Sequence, residues 1–207
     1  MKTNKIITIS RQLASGGRSI GKLLAQRLEI PYYDKELLIK ASEESGISLS
    51  RFEDADEQPT NSFLYNLSLN PQIFGDRFTD YPTVMNNDRL FIIQSDVIRK
   101  IAEKGPCVIV GRLADYVLSE NKNLLSVFIY ADMDYRAKRL SKSLDIQENK
   151  IHGYLSKADK RRGSYYNYYT SRKWREAKNY DLCINAGKLG DEKTAAAIES
   201  FIKAIEK

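Results

Sequence analysis

The sequence predicts a three-layer α/β/α fold around a five-stranded parallel sheet. Three observations lead there. Short apolar, β-branched runs alternate with longer amphipathic segments along the 207-residue chain outside residues 47 to 88. The first run, Ile6-Ile7-Thr8-Ile9, stops at Ala14-Ser15-Gly16-Gly17 and opens into a helix with Ile20, Leu23, Leu24 and Leu28 on one face. A later run, Cys107-Val108-Ile109-Val110, is apolar at every position, as a central parallel strand covered on both faces requires.

The remaining elements follow in order. Ile30 to Asp34 reads as a short second strand ending in an acid. Lys35 to Glu44 reads as a helix with Leu37, Leu38 and Ala41 inward, stopped by Gly46. Residues 47 to 88 hold three of the five prolines and no sustained periodicity. They read as short helices and loops in a small mobile lobe, anchored by Phe63, Leu64, Tyr65, Leu67, Ile73, Phe74 and Phe78. Asn87 to Lys104 is an amphipathic helix with Leu90, Ile93, Val97, Ile98 and Ile101 on its face, ended by Gly105-Pro106. After Gly111-Arg112 a helix is expected from Leu113 to Leu118, then a buried strand from Leu124 to Tyr130. Asp132 is the expected N-cap of the next helix, which runs to about Ser143; another starts near Gln147. A strand from Asp181 to Asn185 and a helix from Asp191 to Ile205 close the chain.

Composition narrows the function classes. Thirty-three Lys and Arg against 27 Asp and Glu give +6, which suits a polyanionic ligand. Cys107 and Cys183 lie in apolar runs and are expected as buried, reduced thiols. The single His152 excludes a His-rich zinc site. The first residues carry no apolar signal segment, and no run approaches a membrane span, so a cytoplasmic protein without a membrane partner is expected.

The chemistry centres on the glycine segment. Strand, glycine loop and helix together turn backbone N–H groups and a helix N-terminus toward an anion, which makes Ala14, Ser15, Gly16, Gly17, Arg18 and Ser19 a candidate phosphate-binding loop. Arg18 adds a cation and Ser19 a hydroxyl that could ligate Mg²⁺. The pattern G-x-x-x-x-G-K-[ST] is met imperfectly, with Gln12 at its first glycine and Arg18 at its lysine. An ordinary strand-to-helix turn is the rival reading. Ligands of such sheets bind at the C-terminal strand ends, where the loop, Asp34, Gly111-Arg112 and Asp132 all fall.

Arg112 is placed to fork a phosphate or carboxylate; the alternative is a surface pair with Asp115. Arg136 and Arg139 sit three apart on one helix and either reach the site or pair with neighbouring acids. Residues 157 to 175 hold seven Lys and Arg against one Asp, interleaved with tyrosines. Such a segment suits single-stranded nucleic acid, a lid over a triphosphate, or a solvated helix face. The glycine loop favours the lid.

These motifs in this order resemble the cytidylate kinases, and most closely the divergent cytidylate kinase-like branch. The likeness rests on Ser-Arg-Gln (10–12), Gly-Gly-Arg (16–18), Tyr-Asp-Lys-Glu-Leu (33–37), Val-Ile-Val-Gly-Arg (108–112), Asp-x-Asp-x-Arg-x-x-Arg (132–139), Asp-Lys-Arg-Arg (159–162) and Tyr-Asp-Leu (180–182). It implies one P-loop nucleoside-monophosphate-kinase domain, with core 1–46, 89–156 and 176–207, acceptor lobe 47–88 and lid 157–175. It implies transfer of the γ-phosphoryl group of ATP, with Mg²⁺, to a small phosphorylated acceptor, CMP or dCMP first. Residues 14–19 would hold the ATP phosphates, with Ser19 on the metal; Arg18, Arg161 and Arg162 would act on the transferring group. Asp34, Arg112, Asp115 and Arg136 would lie at the acceptor. Where characterised cytidylate kinases read Asp-Gly-Arg-Asp, this chain has Val110-Gly111-Arg112-Leu113, without the metal-organising and cytosine-recognising acids. A non-catalytic nucleotide-binding regulator, a kinase of another small acceptor and an RNA-binding protein are the rivals. The sequence leaves the oligomeric state open.

Overall fold

The computed structural model describes residues 3–56, 82–143 and 147–206. Five strands form one sheet: β1 (Ile6–Arg11), β2 (Tyr32–Tyr33), β3 (Cys107–Val110), β4 (Leu124–Tyr130) and β5 (Leu182–Asn185). Their order is β2-β3-β1-β4-β5, and every pairing is parallel. The central strand β1 pairs on both sides, Ile6 to Ile9 along β3 and Ile6 to Arg11 along β4. A strand paired twice and covered on both faces has no use for polar alternation, and all six of its residues are buried.

Alternate residues of the sheet serve two cores. Ile7, Ile9, Val108, Val110, Val127 and Ile129 face α1 (Gly17–Leu28) and α8 (Ala186–Ile205), meeting Ile20, Leu24, Ile198 and Ile202. Ile6, Cys107 and Ile109 face α2 (Glu36–Ser45), α3 (Leu49–Ala55) and α4 (Pro82–Glu103), meeting Leu37, Phe52, Val97 and Ile98. Three further helices lie toward the C-terminal strand ends: α5 (Ala114–Val117), α6 (Met133–Ser141) and the long α7 (Glu148–Thr170). The chain crosses from β2 and β3 on one side of β1 to β4 and β5 on the other. This change of direction leaves a crevice at the C-terminal end of β1, where α/β sheets bind ligands.

Most sequence expectations hold, and the exceptions have physical causes. The final helix starts at Ala186 rather than Asp191, but Gly190 inside it is non-helical (φ 74°, ψ 173°), so a fresh helical segment does begin at Asp191. Asp132 occupies the N-cap position of α6 without a side-chain cap bond; it accepts from Asn185 Nδ2 at 3.5 Å instead. Cys183 is exposed, because β5 is an edge strand, whereas burial pushes the Cys107 thiol up to about 12. Most of the lobe at 47–88, with its seven apolar anchors, lies outside the described residues; α3 and the start of α2's partner helix α4 are its described parts. No helix among the described residues is long and apolar enough to cross a membrane.

Leu24 is fully buried between the sheet and α8. Leu24→Ala should lower the free energy of unfolding by about 2–5 kcal/mol in urea denaturation.

Candidate functional site

The loop between β1 and α1 is built from backbone. Gln12 N–H donates to Ile129 O at 3.0 Å, and Gln12 Oε1 accepts from Ala131 N at 3.1 Å. Ser15 is fully buried, and its hydroxyl bonds Gln12 O at 3.0 Å and Ile129 O at 3.1 Å. Its side chain therefore braces the loop from beneath and leaves only its backbone to a ligand. Ala14 (φ 59°) and Gly16 (φ 95°) are left-handed, so the chain curls between strand and helix. A Cβ on Gly17 would lie 2.7 Å from Arg11 Cβ, which excludes a side chain there. Helix α1 has no side-chain cap and no acid in its first turn, so its first N–H groups face outward uncapped among the described residues.

Two arginines meet at Asp34, just past β2. Arg18 Nε pairs with Asp34 Oδ2 at 2.6 Å, and Arg112 Nη1 with Asp34 Oδ1 at 2.5 Å. Arg112 also donates to Asp56 Oδ2 at 2.8 Å and to Val110 O at 3.2 Å. The Arg112 side chain is 1% exposed and Arg18 is 55% exposed, so one arginine is locked and the other reaches solvent. Arg112 and Leu113 both have positive φ (53° and 55°), the turn that folds the guanidinium back beneath the site. The expected alternative pairing of Arg112 is thus corrected: it pairs with Asp34 and Asp56 rather than with Asp115.

Asp115 is buried beside β1, where Ser10 Oγ donates to it at 3.4 Å. Burial pushes its carboxyl up to about 6, against the opposing pull of the Tyr166 and Ser10 hydroxyls and of Arg172. The structure groups it with Tyr166 and Tyr180 beneath α7 and not with Asp34 and Arg112.

Helix α7 grips the loop from the other side. Asp159, 5% exposed, accepts Leu13 N–H at 3.0 Å, Arg136 Nη1 at 2.7 Å and Arg175 Nη2 at 2.6 Å. Arg136 also donates to Leu13 O at 3.3 Å, so it belongs to this clasp rather than to the Asp34 side. Arg162 donates to Arg11 O at 3.0 Å. Arg161 is exposed on α7, about 100° around the helix from Arg162. Behind the clasp lies a groove of about 430 Å³ walled by Met133, Arg136, Lys160, Trp174 and Arg175. The tyrosines that suited nucleic acid largely face inward: Tyr165 and Tyr166 are buried with Leu113, and Trp174 packs on Gly163 and Phe128.

Ser19 meets a cation of the protein, since Arg139 Nη2 donates to its Oγ at 2.9 Å. Val110 is buried at the end of β3, and Asp34 is engaged by two arginines. No metal-holding group of three acidic, His or Cys side chains occurs among the described residues. With its hydroxyl engaged by Arg139, Ser19 by itself does not make up a protein-held magnesium site among the described residues. Asp159 and Asp191 are the residues that sequence reasoning passed over. Asp159 is the one acid in a basic run, and Asp191 directly follows a glycine, which are the signals that were available.

Asp115 should make stability depend on pH. Its folded proton is held to about 6 against an ordinary 3.8, so the neutral acid's contribution is full below about pH 4 and is lost as pH rises through 6. A rise of about two units corresponds to roughly 3 kcal/mol. Asp115→Asn should flatten the fall in the urea midpoint between acid and neutral pH; parallel pH profiles for the two proteins would contradict this.

Three comparisons bear on identity. The cytidylate kinase-like family model matches residues 6–188. An uncharacterized protein from Eubacterium ventriosum ATCC 27560 superposes with TM-score 0.70 at 31% identity, over 96% of this chain and 98% of the other. Shikimate kinase from Bacteroides thetaiotaomicron (TM-score 0.55, 12% identity, 96% and 98% covered) and a gluconokinase from Sinorhizobium meliloti 1021 (TM-score 0.54, 11% identity, 100% and 98% covered) share the fold. No curated protein matches the chain. With its strand order, its glycine loop and a family match over nearly its whole length, the chain belongs to the cytidylate kinase-like family and has the fold of the P-loop kinases.

Proposed function

We propose that the protein is an ATP-dependent phosphotransferase whose glycine loop, residues 14 to 19, binds the nucleotide's phosphates. The observation that carries this reading is the pairing of Arg18 with Asp34. It joins an uncapped helix N-terminus to the acid at the acceptor end through an exposed, exchangeable cation. In the reaction an acceptor oxygen bonds to the γ-phosphorus while the bond from that phosphorus to the β–γ bridging oxygen breaks, releasing ADP. The chain's part is positioning and charge neutralisation. Backbone N–H groups of the loop hold the phosphates, and Arg18 moves from Asp34 to the transferring group. Arg162 follows from α7, and Arg161 takes part only if that helix shifts. Magnesium in this reading arrives on the nucleotide rather than at a site the protein assembles.

Family membership favours a nucleoside monophosphate, CMP or dCMP first, as acceptor. A second reading rests on Arg112, whose guanidinium is buried and already spans Asp34 and Asp56. So engaged, it is poorly placed to fork an acceptor phosphate, which favours a small hydroxyl compound directed by Asp34. The missing acids at Val110 and Leu113 keep a non-catalytic nucleotide-binding regulator in the test.

The test is ADP production from Mg-ATP with CMP, dCMP, UMP, AMP, GMP and a panel of small polyols and hydroxy acids. Turnover with CMP or dCMP is expected, and Arg18→Ala should reduce it by about a hundredfold or more. Turnover with a hydroxyl compound alone would move the acceptor to the second reading. ATP binding without turnover would identify a regulator, and the absence of ATP binding would sink the phosphate-loop reading.

A further inference from the structure

Arg139 and Asp191 converge on the outer rim of the glycine loop. Arg139 pairs end-on with Asp191, Nη1 to Oδ1 at 2.8 Å and Nη2 to Oδ2 at 2.6 Å, while Nη2 also donates to Ser19 Oγ at 2.9 Å. Asp191 Oδ1 stands 2.6 Å from where a Cβ on Gly16 would lie, and Arg139 Nη1 stands 3.4 Å from it. The backbone conformation at 16 (φ 95°) favours glycine, and its missing side chain leaves the space that the Asp191 carboxylate occupies. The break at Gly190 turns the start of the last helical segment toward the loop, with Gly190 O fixed by Thr194 Oγ1 at 2.6 Å. Both partners reach solvent, with side chains 32% and 20% exposed.

An acid against a phosphate cradle is an electrostatic contradiction unless it has a task there. A polyphosphate entering the loop would crowd Asp191, repel it, and compete with it for the same guanidinium. The guanidinium already occupies the space beside Ser19, so little movement separates its two partners. We propose that Arg139 is the protein's own cation for the nucleotide phosphates beside Ser19, and that Asp191 is a latch that holds it until the polyphosphate displaces the carboxylate. In this scheme Arg139 binds the substrate directly, and Asp191 is a positioning residue that acts through it. The inference rests on the reading of residues 14 to 19 as a nucleotide-phosphate site, and it deepens that reading in two ways. Nucleotide binding persists when divalent metal is removed, and it is opposed by one identifiable carboxylate.

Calorimetric titration of ATP, ADP, AMP and adenosine into the full chain, with EDTA and with Mg²⁺, tests it. The proteins are wild type, Asp191→Asn, Arg139→Ala and Arg139→Lys, each checked for an unchanged thermal midpoint. Wild type should bind ATP in EDTA. Asp191→Asn should tighten ATP by about fivefold and leave adenosine unchanged, since only a phosphate competes with the latch. Arg139→Ala should weaken ATP in EDTA by about tenfold or more. Should that variant fail to fold, Arg139→Lys, which keeps charge but loses the fork, should weaken it too. ATP affinity that is unchanged or weaker in Asp191→Asn overturns the latch. So does an equal effect on adenosine, or indifference to both substitutions at 139. Wild type that binds ATP only with Mg²⁺ also overturns it while leaving the phosphate-loop reading intact. Wild type that binds no ATP under either condition overturns that reading, and the latch with it.

Discussion

Three carboxylates hold arginines against one loop, and the arrangement of the site depends on those pairs. Asp34 fastens Arg18 and Arg112, Asp159 fastens Arg136 and Arg175, and Asp191 fastens Arg139. Left to themselves, these cations would repel one another and the positive end of α1. The acids make a dense positive cluster compatible with folding. Their exposures grade the consequences. Arg136 and Asp159 are 4% and 5% exposed, so the pair is desolvated and either partner alone would be a buried charge. Arg18 is mostly exposed and its pair with Asp34 is correspondingly weaker.

The sheet explains why the pairs converge. All strands run parallel, so every crossover delivers its polar turn to the same edge. The loop, Asp34, Arg112 and the N-terminus of α6 are neighbours for that reason. Helix α7 then lies across this edge, packing Ile151 and Leu155 against Leu13 and Ala14 at one end. At the other, Tyr165 and Tyr166 pack against Leu113. The basic segment expected as a lid is thus the second half of a continuous 23-residue helix with a buried face. Any closing motion has to carry Asp159, and with it Leu13 of the loop. The loop and α7 are mechanically coupled through one carboxylate.

Some of this was legible from local pattern. Gly46 and Gly105 ended their helices in positive-φ conformations, as helix-stopping glycines do. The loop at 14–19 showed itself because strand run, glycines and amphipathic helix are consecutive in the chain. Partners were harder to read. Arg112 finds Asp34 and Asp56, which lie 78 and 56 residues away, and not the adjacent Asp115. Asp115, two residues past Leu113, meets Ser10 and Tyr166 instead, beyond a turn in which Arg112 and Leu113 both have positive φ. In the sequence Asp159 is the one acid of a basic run and the first residue of the Asp-Lys-Arg-Arg motif, and only folding gives it Leu13, Arg136 and Arg175 as partners.

What the sequence determined by itself was periodicity, and periodicity fixes element type, order and the inward faces. Five strands, a parallel sheet, the glycine loop and the strand ends where ligands bind all follow from it. The tertiary structure alone decided which charge meets which. Ion pairs form between side chains that folding brings together, and their energy depends on distance and burial, neither of which is written in spacing along the chain. Hence Ser19 could be read as a metal ligand from its place after the glycines. Only the packed structure puts Arg139 on its hydroxyl and Asp191 against Gly16.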